Sequence, residues 1–136
     1  MTPSLTSRVL AGTLLVALAG APPAPAQVST LVSGNPAVGD AIVLDDAGDI
    51  FVTSYSSQVA TVDQAGTVTV LATDMSLTTG LTLHAPTSTL YVGNNGTGTI
   101  RTVPVTGGAS SVFLTGVGAV GLAQNASEDT LYVAHY

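Results

Sequence analysis

A five-residue motif recurs in this chain at spacings of 40 and then 41 residues. Its three copies are Asp49-Ile50-Phe51-Val52-Thr53, Thr89-Leu90-Tyr91-Val92-Gly93 and Thr130-Leu131-Tyr132-Val133-Ala134. Self-similarity at a period of about 40 residues is typical of β-propellers, in which each repeat forms one four-stranded antiparallel blade. Helical periodicity is absent after residue 26, so the sequence predicts an all-β fold.

Each repeat follows the same strand–turn–strand order. Aligned on the motif without gaps, residues 40–51, 80–91 and 121–132 each read as a short strand, a polar hairpin turn and the start of a second strand. Third and fourth strands are predicted in the first two repeats, at Gln58–Val62, Val68–Leu71, Thr99–Val103 and Ser111–Leu114. The pattern therefore predicts two blades and the first half of a third.

The predicted propeller is partial. A closed ring needs at least four blades of about 40 residues each, and residues 27–136 hold about two and a half. The segment Val28–Val32 resembles an outermost strand of the kind that completes the last blade of a closed ring. We therefore expect residues 27–136 to be the N-terminal fragment of a longer ring, for which six blades is the family-like number. The alternative is a short chain that closes its ring by oligomerising.

The first 26 residues have the features of a signal peptide. Arg8 precedes an apolar run over 9–21, and Ala24-Pro25-Ala26 supplies a small-x-small cleavage pattern before Gln27. The run is shorter than the roughly 20 residues of a membrane-spanning helix. We therefore predict a secreted, extracytoplasmic protein whose domain occupies 27–136, with an uncleaved anchor as the alternative.

The charge of the chain excludes some classes of partner. After residue 26, eight acidic residues are opposed by Arg101 alone, which gives a net charge of −7 with His neutral. Nucleic acids and anionic membrane surfaces require clustered Lys and Arg, so neither is expected as a partner, and no membrane contact beyond the signal peptide is predicted. The chain has no cysteine, so no disulfide supports the fold.

The second repeat resembles a known repeat family. The stretches that carry the resemblance are Gly80–Leu83, Thr89–Asn94, Gly98–Val105 and Gly107-Gly108. They are similar to the NHL repeat, to gluconolactonase and senescence-marker-protein propellers, and to the YVTN repeat. The resemblance implies a propeller and leaves the activity open, because propellers host enzymes and binding modules alike. The lactonase branch has a metal-binding Gly-Glu-x-Pro motif, whereas this chain has Gly34-Asn35-Pro36.

Candidate ligand-binding residues are those at one face of the predicted blades, where innermost strands begin and second strands end. They are Asp40, Ser54, Asn94, Asn95 and His135. Asp40, Asn94 and His135 offer a carboxylate, an amide and an imidazole, which form a partial shell for a divalent cation such as calcium. The alternative is that these groups hydrogen-bond to neighbouring loops and water. No catalytic residue is assigned, since no paired nucleophile and base is visible, and the metal and cofactor are left unassigned.

Two functions are compatible with these features. The leading hypothesis is a secreted β-propeller binding or scaffold module for a small molecule, glycan or protein. The alternative is an extracytoplasmic, metal-dependent, lactonase-like hydrolase or lyase with a divalent cation in the channel.

Overall fold

Antiparallel sheets form the framework of this protein. The computed structural model describes residues 29–135, and this part contains ten strands and no α-helix, which confirms the all-β prediction for these residues. The strands are β1 (Ile42–Leu44), β2 (Ile50–Thr53), β3 (Val59–Val62), β4 (Val68–Ala72), β5 (Thr78–His84), β6 (Thr89–Asn94), β7 (Thr99–Pro104), β8 (Ser111–Thr115), β9 (Ala119–Gln124) and β10 (Leu131–His135).

The strands pair in chain order within three sheets. Sheet I is β1-β2-β3-β4, sheet II is β5-β6-β7-β8, and sheet III is the pair β9-β10. Two 3₁₀ turns, at Ala85–Thr87 and Asn95–Thr97, connect β5 to β6 and β6 to β7. The three copies of the sequence motif thus fall on the second strand of each sheet. The predicted third and fourth strands of the first two repeats are confirmed as β3, β4, β7 and β8.

Side-chain caps stabilise the hairpin turns. The Asp45 carboxylate accepts the N–H groups of Ala47 and Asp49, at 3.0 and 2.8 Å, and Asp63 does the same in the turn between β3 and β4. The following Gly48 has φ +88°, a conformation that glycine adopts without a steric penalty. These short polar side chains reproduce a backbone turn, so Asp45 and Asp63 serve the fold.

The three sheets lie side by side along their first strands. The Thr53 hydroxyl at the end of β2 donates to the carbonyl of Thr79 in β5, at 2.7 Å. Thr79 in turn donates to the carbonyl of Ala119 in β9, at 2.5 Å. The backbones of β5 and β9 approach so closely that a Cβ at Gly80 would lie 2.8 Å from the Cα of Gly121. The strands β1, β5 and β9 therefore form the inner side of the stack.

The main core fills the space between sheets I and II. Phe51 and Val59 of sheet I pack against Leu81, Leu90 and Val92 of sheet II, and these residues are between 0 and 6% exposed. Side chains alternate between the two faces of a strand. The second strand of a sheet therefore has apolar side chains on both faces of that sheet. Hydrophobic burial at this joint is the largest visible source of stability in the described chain.

A second cluster covers the other face of sheet I. Ala37 and Val38 from the segment before β1 pack with Val52, Ala60 and Val62. Residues 29–32 form no strand, so the outermost strand expected at Val28–Val32 is wrong over these residues. Val32 packs instead on the apolar face of the first sheet, which Ala37 and Val38 also cover. The predicted signal peptide, 1–26, lies outside the described residues.

The first hairpin differs in length from the other two. Leu44 pairs with Ile50, with five residues between them, whereas Leu83 pairs with Leu90 and Gln124 with Leu131, with six. The gapless alignment of the repeats is therefore wrong by one residue along β1. Ala41, not Asp40, is the equivalent of Gly80 and Gly121, and Asp40 occupies the position of Thr79.

Candidate functional site

One end of the molecule collects the sequence-predicted ligand residues. Here β1, β5 and β9 begin and β2, β6 and β10 end, as the register partners Thr78–Asn94 and Ala119–His135 show. We call this end the start face. It comprises Gly39-Asp40, Ser54–Ser57, Ser76-Leu77, Asn94-Asn95 and His135. Ser54 follows β2, and Asn94 and His135 end β6 and β10, so the three residues lie at corresponding strand ends.

Asp40 is the acidic group of the start face. Its backbone N–H donates to the Thr53 carbonyl at 3.0 Å, which fixes it beside the end of β2. The carboxylate is exposed and accepts no hydrogen bond from any of residues 29–135. A fixed backbone with an unengaged carboxylate can accept hydrogen bonds from a ligand or contribute an oxygen to a cation.

Ser54 begins the loop between β2 and β3. Its hydroxyl lies 2.5 Å from the Ser56 hydroxyl, and its N–H is 3.5 Å from the hydroxyl of Thr78. Tyr55, between the two serines, is 56% exposed and has φ +54°. The loop therefore presents an aromatic ring and a pair of hydroxyls at the start face.

Asn94 is buried and fully engaged within the protein. Its amide oxygen accepts the Ser76 N–H at 2.6 Å, and its amide nitrogen donates to the hydroxyls of Thr97 and Thr99 at 2.6 and 3.0 Å. The side chain is 1% exposed. In this structure Asn94 holds the Ser76 loop in place, which matches the alternative that this residue serves neighbouring loops.

Asn95 and His135 complete the predicted set. The Asn95 N–H donates to the Leu77 carbonyl at 3.1 Å, so this residue joins the loop before β5 to the turn after β6. His135 is exposed at the end of β10, where a register shift follows Ala134. Within residues 29–135, no three His, Asp or Glu side chains form a group that could hold a metal ion.

A polar network that the sequence did not reveal lies on the outer side of the joint between sheets I and II. The Asp74 carboxylate accepts the hydroxyl and the N–H of Ser110, at 2.9 and 3.0 Å, and lies 3.6 Å from the Arg101 guanidinium. Arg101 also donates to the Ser110 hydroxyl and carbonyl. The nearest sequence signal for this network was Arg101, the single Arg or Lys after residue 26. Its partner Asp74 lies 27 positions away, so no local pattern could identify it.

The Asp74 network changes the acidity of its carboxyl. Partial burial raises the pKa of Asp74, but the hydrogen bonds from Ser110 and the charge of Arg101 together bring it below the ordinary value. A shallow cleft of about 280 Å³ adjoins this network and is lined by Val70, Leu71, Ala72, Thr73, Asp74, Gly108 and Ala109. Since Asp74 and Arg101 are already paired, this network ties the two sheets together.

The carboxylates of two turn acids, Asp63 and Asp129, are engaged in the same way. The backbone N–H of Thr67 lowers the pKa of Asp63, and the Asn125 amide lowers the pKa of Asp129. Glu128 accepts the N–H of Ala85 across sheets II and III, at 2.8 Å. Asp40, at the start face, thus differs from the acids whose carboxylates hold turns or sheets together.

Comparison with known proteins returns no match: no family model, no curated protein and no solved structure matches this chain. Among residues 29–135, no helix has the length and apolar character needed to cross a membrane.

Proposed function

We propose that this chain forms blades of a secreted β-propeller and that its start face binds a small molecule, a glycan or a protein. The observation that carries the proposal is the exposed, unengaged carboxylate of Asp40. The Asp40 N–H bonds to the carbonyl of Thr53, so this residue lies at the same face as the paired hydroxyls of Ser54 and Ser56. Loops at one end of a rigid strand framework are where binding residues usually lie.

The propeller itself is supported by the side-by-side stacking of three antiparallel sheets along β1, β5 and β9. In a propeller these first strands line the channel, and their starts together with the ends of the second strands surround its mouth. The 40-residue spacing of the motif and the resemblance to NHL and YVTN repeats support the same assignment. Export is supported by the signal-peptide features of residues 1–26.

A metal-dependent hydrolase or lyase of the lactonase-like group is the competing function. Asp40 and His135 favour it, because both side chains are exposed at the start face and both are of metal-ligating types. Asn94 favours it less, because its amide oxygen accepts a short hydrogen bond from Ser76. A cation at this face would therefore have to draw on Asp40, His135 and ligands from beyond the described residues.

The experiment that tests the proposal is ligand screening by amide chemical-shift mapping of the purified protein. The screen contains neutral and acidic oligosaccharides, a small-molecule library, calcium chloride and zinc chloride. We expect a ligand whose shift changes are confined to the start face and are weakened by Asp40→Asn. The control is Asp46→Asn, an exposed acid in the first hairpin turn.

Three outcomes separate the hypotheses. Shift changes at the start face with an organic ligand support the binding module. Changes around Asp40 and His135 with calcium or zinc, accompanied by a rise in melting temperature, support the metal-dependent enzyme. Changes only in the hairpin turns at the opposite end would overturn both.

A further inference from the structure

Two bulky residues of the start face have a backbone conformation that such residues rarely adopt. Tyr55 and Leu77 have φ values of +54° and +50°, in the left-handed region. Residues 29–135 contain two other non-glycine residues with positive φ, Ser88 and Glu128, which are polar residues in hairpin turns. The aromatic and aliphatic members of the set therefore both lie at the predicted binding end.

The loops that carry Tyr55 and Leu77 are tied to each other. Thr78 donates its N–H to the Ser56 carbonyl at 2.8 Å and its hydroxyl to the Gln58 carbonyl at 3.0 Å. Thr78 is fully buried. Tyr55 and Leu77 each lie one residue from the bond between Ser56 and Thr78, so their backbones belong to one rigid unit.

Buried neighbours maintain the strained conformation. The Leu77 carbonyl accepts the Asn95 N–H at 3.1 Å, and the Ser76 N–H donates to the buried amide of Asn94. The side chains of Tyr55 and Leu77 remain 56% and 40% exposed, so hydrophobic burial does not offset the strain. Strained residues held by their surroundings are concentrated at ligand-binding and catalytic sites.

The polar groups of the start face define the chemistry of a ligand. The Ser54 and Ser56 hydroxyls and the Asp40 carboxylate offer hydrogen bonds, mostly as acceptors for hydroxyl groups. Arg101, the one Arg or Lys among residues 29–135, is already paired with Asp74 and Ser110. The start face therefore offers no cationic side chain of the lysine or arginine type to a negatively charged ligand.

We infer that Tyr55 and Leu77 form an apolar platform for a neutral carbohydrate, with Ser54 and Asp40 binding its hydroxyl groups. A sugar ring has an apolar C–H face that stacks on an aromatic ring and a rim of hydroxyl groups, and this combination matches the platform and its polar surroundings. The inference rests on the proposed function and specifies the ligand class at the same face.

The test is isothermal titration of the purified protein with maltohexaose, cellohexaose, xylohexaose and chitohexaose, and with hexagalacturonate as an acidic probe. We expect at least one neutral oligosaccharide to bind and the acidic one to bind more weakly. Tyr55→Ala and Leu77→Gly should each weaken binding about tenfold, which corresponds to the loss of one stacked contact. Leu77→Gly also relieves the positive φ, so it should bind less sugar while folding at least as well as the parent.

Tyr132→Ala is the matched control, because Tyr132 is 60% exposed and lies in sheet III, away from the loop that carries Tyr55. Its affinity should stay within about twofold of the parent, as expected for a side chain without ligand contact. Equal losses in the Tyr132 and Tyr55 variants, or binding of the acidic sugar alone, would overturn the inference.

The failure of this inference is distinguishable from failure of the proposed function. If a ligand that is not a carbohydrate causes shift changes at the start face, the carbohydrate inference is wrong and the binding module stands. If neither the oligosaccharides nor any member of the wider screen binds at this end, both are wrong.

Discussion

The same position of the repeated motif is buried at the joint between sheets I and II and exposed on the outer face of sheet III. Phe51, on the face of sheet I that sheet II covers, is 4% exposed, while its equivalent Tyr132 in sheet III is 60% exposed. Tyr91 is intermediate, since two strands of sheet III lie beyond it and Phe113 packs edge-on against its ring with centroids 4.8 Å apart. Burial of a motif residue therefore depends on the neighbouring sheet.

On the opposite face of sheet I, too, the burial of a residue depends on whether a neighbouring sheet covers it. Leu81 is 6% exposed against sheet I, whereas its equivalent by register, Ile42, is 62% exposed. Ile42 pairs with Val52 and Leu81 pairs with Val92, so the two residues hold the same position of the repeat. The comparison shows that the unit of stability in this fold is the joint between two sheets.

The first prediction tests this comparison at Leu90, which is fully buried at the joint between sheets I and II. Leu90→Ala should lower the free energy of unfolding by about 2–5 kcal/mol, since Leu90 is fully buried at the joint and its removal leaves a cavity. Leu131→Ala, at the equivalent, half-buried position of sheet III, should cost clearly less. Urea unfolding followed by circular dichroism measures both. Equal losses would mean that the two positions have the same environment.

The second prediction uses the close approach of β5 and β9. Gly80→Ala should destabilise by about 1–3 kcal/mol, because its Cβ would lie 2.8 Å from the backbone of Gly121 and Leu122. Gly121→Ala is the matched control, since its Cβ would meet only the Ala134 side chain at an ordinary 3.5 Å. Melting temperatures of the two variants separate them. A neutral Gly80 variant would indicate that sheets II and III are further apart than described here.

The third prediction concerns the hydroxyl groups that join the sheets. Thr53 accepts the Ala41 N–H and donates to the Thr79 carbonyl. Thr53→Val should cost about 1–2 kcal/mol, because it leaves the part-buried N–H and the buried carbonyl without this partner. Thr69→Val in β4 removes an exposed hydroxyl and should change stability by less than about 0.5 kcal/mol. Chemical unfolding measures both, and similar values for the two variants would contradict a special role for Thr53.

The fourth prediction is a pH dependence at the outer side of the same joint. Although burial raises it, the pKa of Asp74 is held below its ordinary value of 3.8 by Ser110 and Arg101. The unfolded chain then binds more protons at acidic pH, so this stabilisation is present above about pH 4 and is lost as the pH falls through the folded pKa. Asp74→Asn should show a shallower loss below pH 4 in urea unfolding. An unchanged slope would show that the network does not contribute.

Much of the strand pattern could be predicted from the sequence. Thr99–Val103, predicted from its alternation, and Ser111–Leu114, predicted from the Gly-containing turn before it, lie within a residue of β7 and β8. The one-residue shift of β1 could not be predicted from a gapless alignment. The lengths of the hairpins became visible only when the pairing of Leu44 with Ile50 was known.

The candidate site was predicted less completely. The strand ends indicated which residues lie at the start face, but they gave no sign that Asn94 is buried beneath it. The strained backbones of Tyr55 and Leu77 depend on hydrogen bonds to Thr78 and Asn95 that come from other parts of the chain. Such long-range bonds leave no local pattern in the sequence.

The most direct test of the stacked-sheet arrangement is the nuclear Overhauser effect between sheets II and III. The α protons of Gly80 should show strong cross-peaks to the α protons of Gly121 and the amide proton of Leu122, because the backbones of β5 and β9 meet at this point. Their presence would establish that the first strands of neighbouring sheets lie side by side. Their absence in a folded sample would contradict the arrangement and the start face built on it.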